Sequence, residues 1–171
     1  MLLTIDVGNT NMVFGLIEKK NLVGTFRMST DATATSDEIG LKILQYYHFR
    51  GLDPDRTSAV IIASVVPPAM YSLINAIRKY LRLRPLVVGT DVDPGMVNLY
   101  TNPREVGVDR LVNGVSAVAR YGKPLIIVDI GTAITFDAID QNGAYLGGAI
   151  FPGIKVAMEA LFMKASKLPR V

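Results

Sequence analysis

Short runs of apolar residues separated by polar turns open the chain. Residues 2–7, 12–18 and 21–28 are rich in apolar and β-branched residues, and Lys19-Lys20-Asn21 is a polar turn between the second and third runs. Runs of this length bounded by turn residues are typical of strands. The first part of the chain therefore predicts three consecutive β-strands joined by hairpins.

The pattern then alternates between helical and strand periods. Thr35-Ser36-Asp37-Glu38 fits a capping box, which predicts a helix over 36–48. The later predicted elements are a strand over 59–65, a helix over 69–81, a strand over 86–88, a loop over 89–106, a helix over 107–121, strands over 125–130, 133–139 and 144–150, and a helix over 154–165. Strand, helix and strand joined by short loops favour parallel pairing and an α/β fold.

The opening pattern occurs twice. Asp6-Val7-Gly8 ends the first strand and Asp129-Ile130-Gly131 ends a later one, 123 positions further on because 129 − 6 = 123. The same offset carries Gly24 to Gly147 without a gap. Each turn brings together a carboxylate, a glycine and bare backbone N–H donors, and Gly8 is expected to adopt a positive φ or to admit a ligand closely. The repeat predicts two βββ units, each with a phosphate-binding turn.

Composition narrows the function classes. Half of the residues are apolar, and the net charge is +3 with scattered basic residues, so nucleic-acid binding is not favoured. The absence of cysteine excludes disulfides, thiolate catalysis and Cys-ligated metal sites. His48, the single histidine, is expected to be structural. With no signal peptide or bilayer-spanning run expected, the interpretation is a soluble cytoplasmic protein without membrane contact.

Taken together, these motifs resemble those of the type III pantothenate kinase family, within the actin, hexokinase and Hsp70 ATPase superfamily. The motifs, in order, are Asp6-Val7-Gly8-Asn9-Thr10-Asn11, Tyr100-x-Asn102-Pro103, Gly107-Val108-Asp109-Arg110, Asp129-Ile130-Gly131-Thr132-Ala133 and Gly147-Gly148-Ala149-Ile150-x-Pro152-Gly153. The resemblance covers nearly the whole chain. It implies a ribonuclease H-like, actin-like ATPase fold with duplicated βββαβα lobes, and ATP-dependent phosphorylation of pantothenate, the first step of coenzyme A biosynthesis. A P-loop kinase is disfavoured because Gly-x-x-x-x-Gly-Lys-Ser/Thr is absent.

The resemblance also implies residue roles. Asp109 would act as general base, and Asp129 would bind a monovalent cation, K⁺ or NH₄⁺, with Asp6 near Mg²⁺. The ATP phosphates would contact Asp6, Val7, Gly8, Asn9, Thr10, Asn11, Met12, Val13 and, from the second turn, Thr132. Pantothenate would contact Tyr100, Gly107, Val108, Asp109 and Arg110. The family is expected to act as a homodimer.

Other interpretations stay open at this point. Asp6 and Asp129 could stabilise turns, Asp109 could serve only the helix start, Tyr100 could be ordinary packing, and Gly147-Gly148 could serve backbone packing or nucleotide approach. A non-catalytic nucleotide-binding regulator and another small-molecule kinase are the alternative functions.

The division of the chain is expected to fall between 122 and 123. Residues 1–122 would form the first lobe with the substrate loop and helix, and residues 123–171 would begin a second lobe that is truncated at Leu168-Pro169-Arg170-Val171.

Overall fold

The structure, a computed structural model, describes residues 1–165. The chain divides into two compact units, the first comprising Met1–Asp93 and the second beginning at Pro94. The residues predicted at the extreme C-terminus, Leu168 to Val171, lie outside the described part. Within residues 1–165, no helix combines the length and apolar character that a membrane span requires.

A five-stranded mixed sheet organises the first unit. Its strands are β1 (Leu2–Val7), β2 (Asn11–Glu18), β3 (Asn21–Ser29), β4 (Ala59–Ser64) and β5 (Leu86–Val87). The order across the sheet is β3-β2-β1-β4-β5; β1, β2 and β3 pair antiparallel, whereas β4 and β5 run parallel to β1. This order confirms the predicted ribonuclease H-like arrangement, in which a βββ meander is extended by crossover strands.

Two helices cover one face of this sheet. The first, α1 (Ser36–Phe49), starts with the predicted capping box and buries Ile39, Ile43 and Tyr47. The second, α2 (Pro67–Ala76), begins at a proline, which suits the first helical position because its missing N–H would have no partner there. The helix predicted over 69–81 changes at Ile77–Leu81 to a π-helical turn that ends at Arg82 in a left-handed conformation.

Over residues 94–165, the second unit holds a three-stranded antiparallel meander, two α-helices and one short 3-10 helix, Pro103–Glu105. The strands and α-helices are α3 (Val108–Tyr121), β6 (Leu125–Ile130), β7 (Ala133–Ile139), β8 (Tyr145–Pro152) and α4 (Ile154–Lys164). The sequence interpretation placed the boundary at 122/123, but α3 packs against β6 and β7 and therefore groups with the second unit. The predicted 89–106 loop is hydrogen-bonded to β8, because the N–H of Leu99 donates to the carbonyl of Tyr145 at 2.9 Å.

The two meanders repeat one another, with one correction to the predicted gap-free offset. In the first, Leu16 pairs with Gly24; in the second, Ala138 pairs with Gly147. The third strands thus correspond at an offset of 123, whereas the middle strands correspond at 138 − 16 = 122. The β6–β7 turn is one residue shorter than the β1–β2 turn, and the following turn is one residue longer, so the offset is restored.

The first strands of the two meanders differ in how far their apolar side chains are buried. Leu3, Ile5 and Val7 of β1 lie under the helices and are 0%, 2% and 0% exposed. Their counterparts at the 123 offset, Ile126, Val128 and Ile130 of β6, are 70%, 50% and 65% exposed. The apolar set predicted for the last helix, Val156, Leu161 and Phe162 of α4, is also largely exposed. We call Ile126, Val128 and Ile130 the β6 apolar face.

Candidate functional site

The β1–β2 turn is held by a residue that sequence reasoning missed. Thr30, just after β3, donates its backbone N–H to the carbonyl of Thr10 at 2.9 Å and its hydroxyl to the carbonyl of Gly8 at 2.6 Å. Gly8 itself donates its N–H to the carbonyl of Asn11 at 3.0 Å. The turn is therefore closed by its own backbone and by the end of the neighbouring hairpin strand.

Gly8 does not have the positive φ that was one expectation for it. A Cβ at this position would lie 3.4 Å from the Asn11 carbonyl oxygen, an ordinary contact, so the glycine leaves an open surface rather than relieving backbone strain. Close approach of a ligand is the expectation that stays.

The predicted phosphate-binding residues of this turn differ in their exposure to solvent, from exposed through half-buried to buried. Asp6, Asn9 and Thr10 are exposed at the end of the sheet, where side-chain and backbone groups are accessible. Val7 and Met12 are buried in the core, at 0% and 1% exposure, so only their backbone can serve a ligand. The turn thus offers a carboxylate, an amide and a hydroxyl above an apolar base.

The β6–β7 turn has the same construction. Gly131 donates its N–H to the carbonyl of Ala133, and Gly153 donates its N–H to the carbonyl of Thr132, both at 2.9 Å. A Cβ on Gly153 would overlap the carbonyl oxygens of Gly131 and Thr132, so a glycine is needed there for this close approach. Asp129 and Thr132 are exposed. The second predicted phosphate contact and the predicted cation ligand therefore lie at one strand end.

A cavity of about 270 Å³ lies wholly within the second unit. It is lined by Tyr100, Glu105, Val106, Arg110, Tyr145, Gly148 and Ile150. Of the five residues predicted to bind substrate, Tyr100 and Arg110 contribute to its wall, whereas Gly107, Val108 and Asp109 belong to the adjoining start of α3. The cavity combines one cation, one carboxylate and two phenols with apolar walls, which suits a small polar molecule with an apolar part.

Arg110 is anchored by a carboxylate that the sequence analysis did not select. Its Nε donates to Oδ1 of Asp137 at 2.7 Å, and its Nη2 lies 2.6 Å from the same oxygen. Asp137 is 1% exposed and also accepts hydrogen bonds from the Tyr145 hydroxyl at 2.7 Å and from Thr135 Oγ1 at 3.3 Å. The available signal was an acidic residue two positions from Ile139, on the inward side of a strand.

The glycine pair Gly147-Gly148 lies within β8, in its first half, and serves close packing in this unit. Gly147 has a φ of +135°, and a Cβ there would lie 3.0 Å from Cδ2 of Tyr100. A Cβ on Gly148 would overlap the carbonyl oxygen of Phe136 and lie 2.5 Å from Nη2 of Arg110. The two glycines therefore make room for the Tyr100 ring and the Arg110 guanidinium on the cavity wall.

Tyr145 is kept neutral at the base of this cluster. Burial raises the pKa of its hydroxyl well above the ordinary value of 10, and the hydrogen bond to Asp137 raises the pKa further. The hydroxyl consequently remains a hydrogen-bond donor to the carboxylate throughout the physiological pH range. The ring of the same residue lies beside the guanidinium of Arg110, 5.7 Å from Cζ to the ring centroid.

Asp109 lies in the first turn of α3, half-buried. Its Oδ1 accepts a hydrogen bond from the backbone N–H of Arg110 at 2.8 Å, and a carboxylate in the first turn is stabilised by the positive end of the helix dipole. One carboxylate oxygen is engaged in this way, and the second has no such bond to the helix backbone in the described residues. The helix-start interpretation and the general-base interpretation are thus compatible.

No group of three or more metal-ligating His, Cys, Asp or Glu residues occurs within residues 1–165. Asp6 and Asp129 are exposed carboxylates at turn ends rather than members of a cage. Magnesium in kinases is commonly bound by one or two carboxylates together with substrate phosphates and water, so the donors present fit that mode.

Comparison with known proteins agrees with these features. A family model described as type III pantothenate kinase matches residues 2–171. The type III pantothenate kinase of Myxococcus xanthus (strain DK1622) is 52% identical over 171 residues, 100% of this chain and 67% of that protein. The type III pantothenate kinase of Listeria welshimeri is 48% identical, over 100% of this chain and 66% of that protein. The chain thus spans about two thirds of the length of these relatives.

Solved structures share the fold at low sequence identity. The Aquifex aeolicus member of the Ppx/GppA family superposes with a TM-score of 0.53 at 11% identity, covering 99% of this chain and 56% of that one. The ethanolamine utilization protein EutJ from Carboxydothermus hydrogenoformans gives 0.52 at 13% identity, covering 98% and 57%. These likenesses show the actin-like ATPase fold. With about half of its residues identical to those of the two relatives and a family model matched from residue 2 onwards, the chain belongs to the type III pantothenate kinase family.

Proposed function

We propose that the protein transfers the γ-phosphoryl group of ATP to the primary hydroxyl of pantothenate, the first step towards coenzyme A. Membership of the family supports this activity. The observation that carries it in the structure is the cavity wall: Tyr100 and Arg110 line one cavity at the start of α3, and Asp109 directly precedes Arg110.

The proposed roles follow from the chemistry of phosphoryl transfer. This reaction needs an acceptor for the hydroxyl proton, a positioned substrate and donors for the phosphate oxygens. Asp109 is the proposed general base, a role that typically contributes ~10²–10⁴ in rate. Arg110 and Tyr100 would bind the anionic substrate, with Gly107 and Val108 contributing their backbone groups.

The two repeated turns are the proposed phosphate-binding elements. Each follows a strand whose last residue but one is an aspartate, and each is closed by a backbone hydrogen bond from the residue after the third strand. We assign the phosphate contacts to the turn residues from Asp6 to Val13 and to Thr132. Bound Mg²⁺, near Asp6, would offset the charge of the phosphates, and a K⁺ or NH₄⁺ ion would bind at Asp129.

A coupled assay of ADP release tests this proposal. Release that requires pantothenate supports the kinase, whereas ATP binding without pantothenate-dependent turnover would favour a nucleotide-binding regulator. Asp109→Asn should retain ATP binding and lose most of the turnover, by ~10²-fold or more. Asp140→Asn is the matched control, because it makes the same change at a carboxylate that does not line the cavity. Asp140 lies in the β7–β8 turn and accepts hydrogen bonds from the N–H groups of Asn142 and Ala144. Unchanged turnover in Asp109→Asn would remove the base assignment.

Three further parts of the proposal have their own tests. Activity should depend on added K⁺ or NH₄⁺ and lose that dependence in Asp129→Asn. We also propose a homodimer, testable by sedimentation velocity. A cytoplasmic location fits an enzyme that consumes ATP, and fractionation of cells would test it.

A further inference from the structure

Among the described residues of the second unit, Asp137 is the most buried carboxylate, and the proposed reaction does not use it directly. A carboxylate that is 1% exposed is costly unless its charge is paired and its oxygens are hydrogen-bonded. Asp137 meets that requirement with Arg110, Tyr145 and Thr135, and no buried side-chain polar atom among residues 1–165 lacks a hydrogen-bond partner. The cluster is therefore a fully hydrogen-bonded network around the carboxylate of Asp137.

Arg110 is the member of this network that lines the cavity. Its side chain is 13% exposed. Asp137 binds the Nε and Nη2 edge, the Phe136 carbonyl oxygen lies 3.4 Å from Nη2, and the Tyr145 ring lies alongside the guanidinium. An arginine side chain has many rotamers when it is free, so contacts on three sides fix both the position and the plane of this guanidinium.

We propose that Asp137 is a positioning residue, which orients the Arg110 guanidinium so that its remaining N–H donors face the substrate cavity. This inference rests on the proposed function for the identity of the substrate. Arg110 contacts the substrate, and Asp137 acts through Arg110. Tyr145 supports the arrangement twice, with its hydroxyl on the carboxylate and its ring beside the guanidinium.

The charges around the cavity make orientation more important than attraction. The formal charges of Arg110 and Asp137 cancel, and Glu105, which also lines the cavity, adds a negative charge. A net negative wall does not attract an anionic substrate over distance. Recognition of a carboxylate here consequently depends on N–H donors held in a fixed place, where hydrogen bonds to a charged group are strong.

Kinetics of three variants test the proposal. Asp137→Asn removes the charge that anchors Arg110, and Tyr145→Phe removes a single hydroxyl while keeping the ring. We expect the KM for pantothenate to rise about tenfold or more in Asp137→Asn and a few-fold in Tyr145→Phe, because a misplaced bidentate donor loses much of its worth. The KM for ATP should change less than about twofold in both. Asp140→Asn, which removes a charge from the turn after the same strand, should change neither value.

A purely structural role gives a different pattern. Equal changes in both KM values, or a fall in the amount of active enzyme with unchanged KM values, would overturn the positioning role. In an Arg110→Ala background, adding Asp137→Asn should raise the pantothenate KM no further, since no guanidinium is left to orient. A second full increase in that background would contradict action through Arg110.

A readout without turnover separates this inference from the proposed function. The Arg110 Nε–H proton should exchange slowly with solvent in the wild-type protein by ¹H–¹⁵N NMR, and the exchange should become fast in Asp137→Asn but not in Asp140→Asn. Equal exchange in the wild type and in Asp137→Asn overturns the anchoring. If pantothenate is not phosphorylated by the wild type, the proposed function fails while this measurement still decides the role of Asp137.

Discussion

Thr30 and Gly153 occupy equivalent positions in the two units, each donating its backbone N–H at 2.9 Å to the last residue of the turn after the first strand, Thr10 or Thr132. Thr30 adds a hydroxyl bond to the carbonyl of Gly8. Gly153 lacks a side chain and instead lets the backbone of its own turn approach closely. The same closure is thus achieved once with an extra hydrogen bond and once by removing bulk.

Thr30→Val tests the importance of that extra bond. The substitution keeps the β-branched shape and the backbone N–H but leaves the Gly8 carbonyl without the hydroxyl, so we expect a loss of ~1 kcal/mol in the free energy of unfolding. If the turn binds phosphates, the KM for ATP should also rise several-fold. Urea unfolding and ADP-release kinetics measure the two effects. Thr30→Ser, which keeps the hydroxyl, is the control, and an equal loss in both variants would contradict the explanation.

Gly148→Ala is expected to disturb the cavity wall. The new Cβ would overlap the Phe136 carbonyl oxygen, and adjustment of the backbone would displace the Arg110 guanidinium. Such overpacking typically costs ~1–3 kcal/mol, and the KM for pantothenate should rise. Gly131→Ala provides the control for stability, because its Cβ would lie 3.8 Å from the nearest carbonyl oxygen, that of Ala133. Equal free energies of unfolding for Gly148→Ala and Gly131→Ala would count against the predicted clash.

Gly40→Ala sets helix propensity against packing. Alanine is favoured over glycine in a helix by ~1 kcal/mol, but a Cβ at Gly40 of α1 would overlap the ring of Tyr80. Overpacking costs as much or more, so the net expectation is destabilisation. In a Tyr80→Ala background the same substitution should instead stabilise the protein. Thermal unfolding of the four proteins of this cycle measures the coupling, and a coupling of zero would show that the ring moves aside without cost.

The capping box of α1 predicts a dependence of stability on pH. Hydrogen bonds from the backbone N–H and the hydroxyl of Thr35 lower the pKa of Glu38 below its ordinary value of 4.5. Because the folded pKa is the lower one, this contribution is fully present above pH 4.5 and is lost as the pH falls through the folded pKa. Glu38→Gln should therefore lower stability at neutral pH and have less effect in acid, as unfolding at the two pH values would show.

Thr35→Ala probes the other half of the same box. Loss of the hydroxyl removes the acceptor for the Glu38 N–H, which lies 3.2 Å from Thr35 Oγ1. Replacement of a threonine N-cap by alanine costs ~0.5–2 kcal/mol. Thr35→Ser should recover most of that loss in urea unfolding, and failure of serine to do so would place the effect elsewhere than in the hydroxyl.

Most elements of the fold could be predicted because periodicity and local signals agreed. The capping box at Thr35 and Glu38 marked the start of α1, and the Asp-x-Gly repeat placed both turns at strand ends. Such cues are local, and they need no knowledge of what the strand packs against. The offset that relates β2 to β7 is one residue smaller than the offset that relates the outer strands of the two meanders. This difference was not predictable from the repeat, because two compensating changes in turn length leave the offset of the outer strands unchanged.

The candidate site was predicted less completely, because its supports come from distant parts of the chain. Tyr100 and Arg110 were identified from a motif, and both line the cavity. Asp137 was not, because the pairing of an inward carboxylate with an arginine on another element depends on tertiary contacts. The hydroxyl of Thr30 was missed for the same reason, since nothing local to β3 links it to Gly8.

The β6 apolar face gives equivalent positions of the repeat opposite responses to the same substitution. Ile5→Thr would put a hydroxyl into the first core, where a side chain that is 2% exposed has no water to bind. Val128→Thr would place the hydroxyl at a position that is 50% exposed, where it reduces the apolar surface available for self-association. Ile5→Thr should lower the free energy of unfolding, whereas Val128→Thr should raise the protein concentration at which aggregation begins.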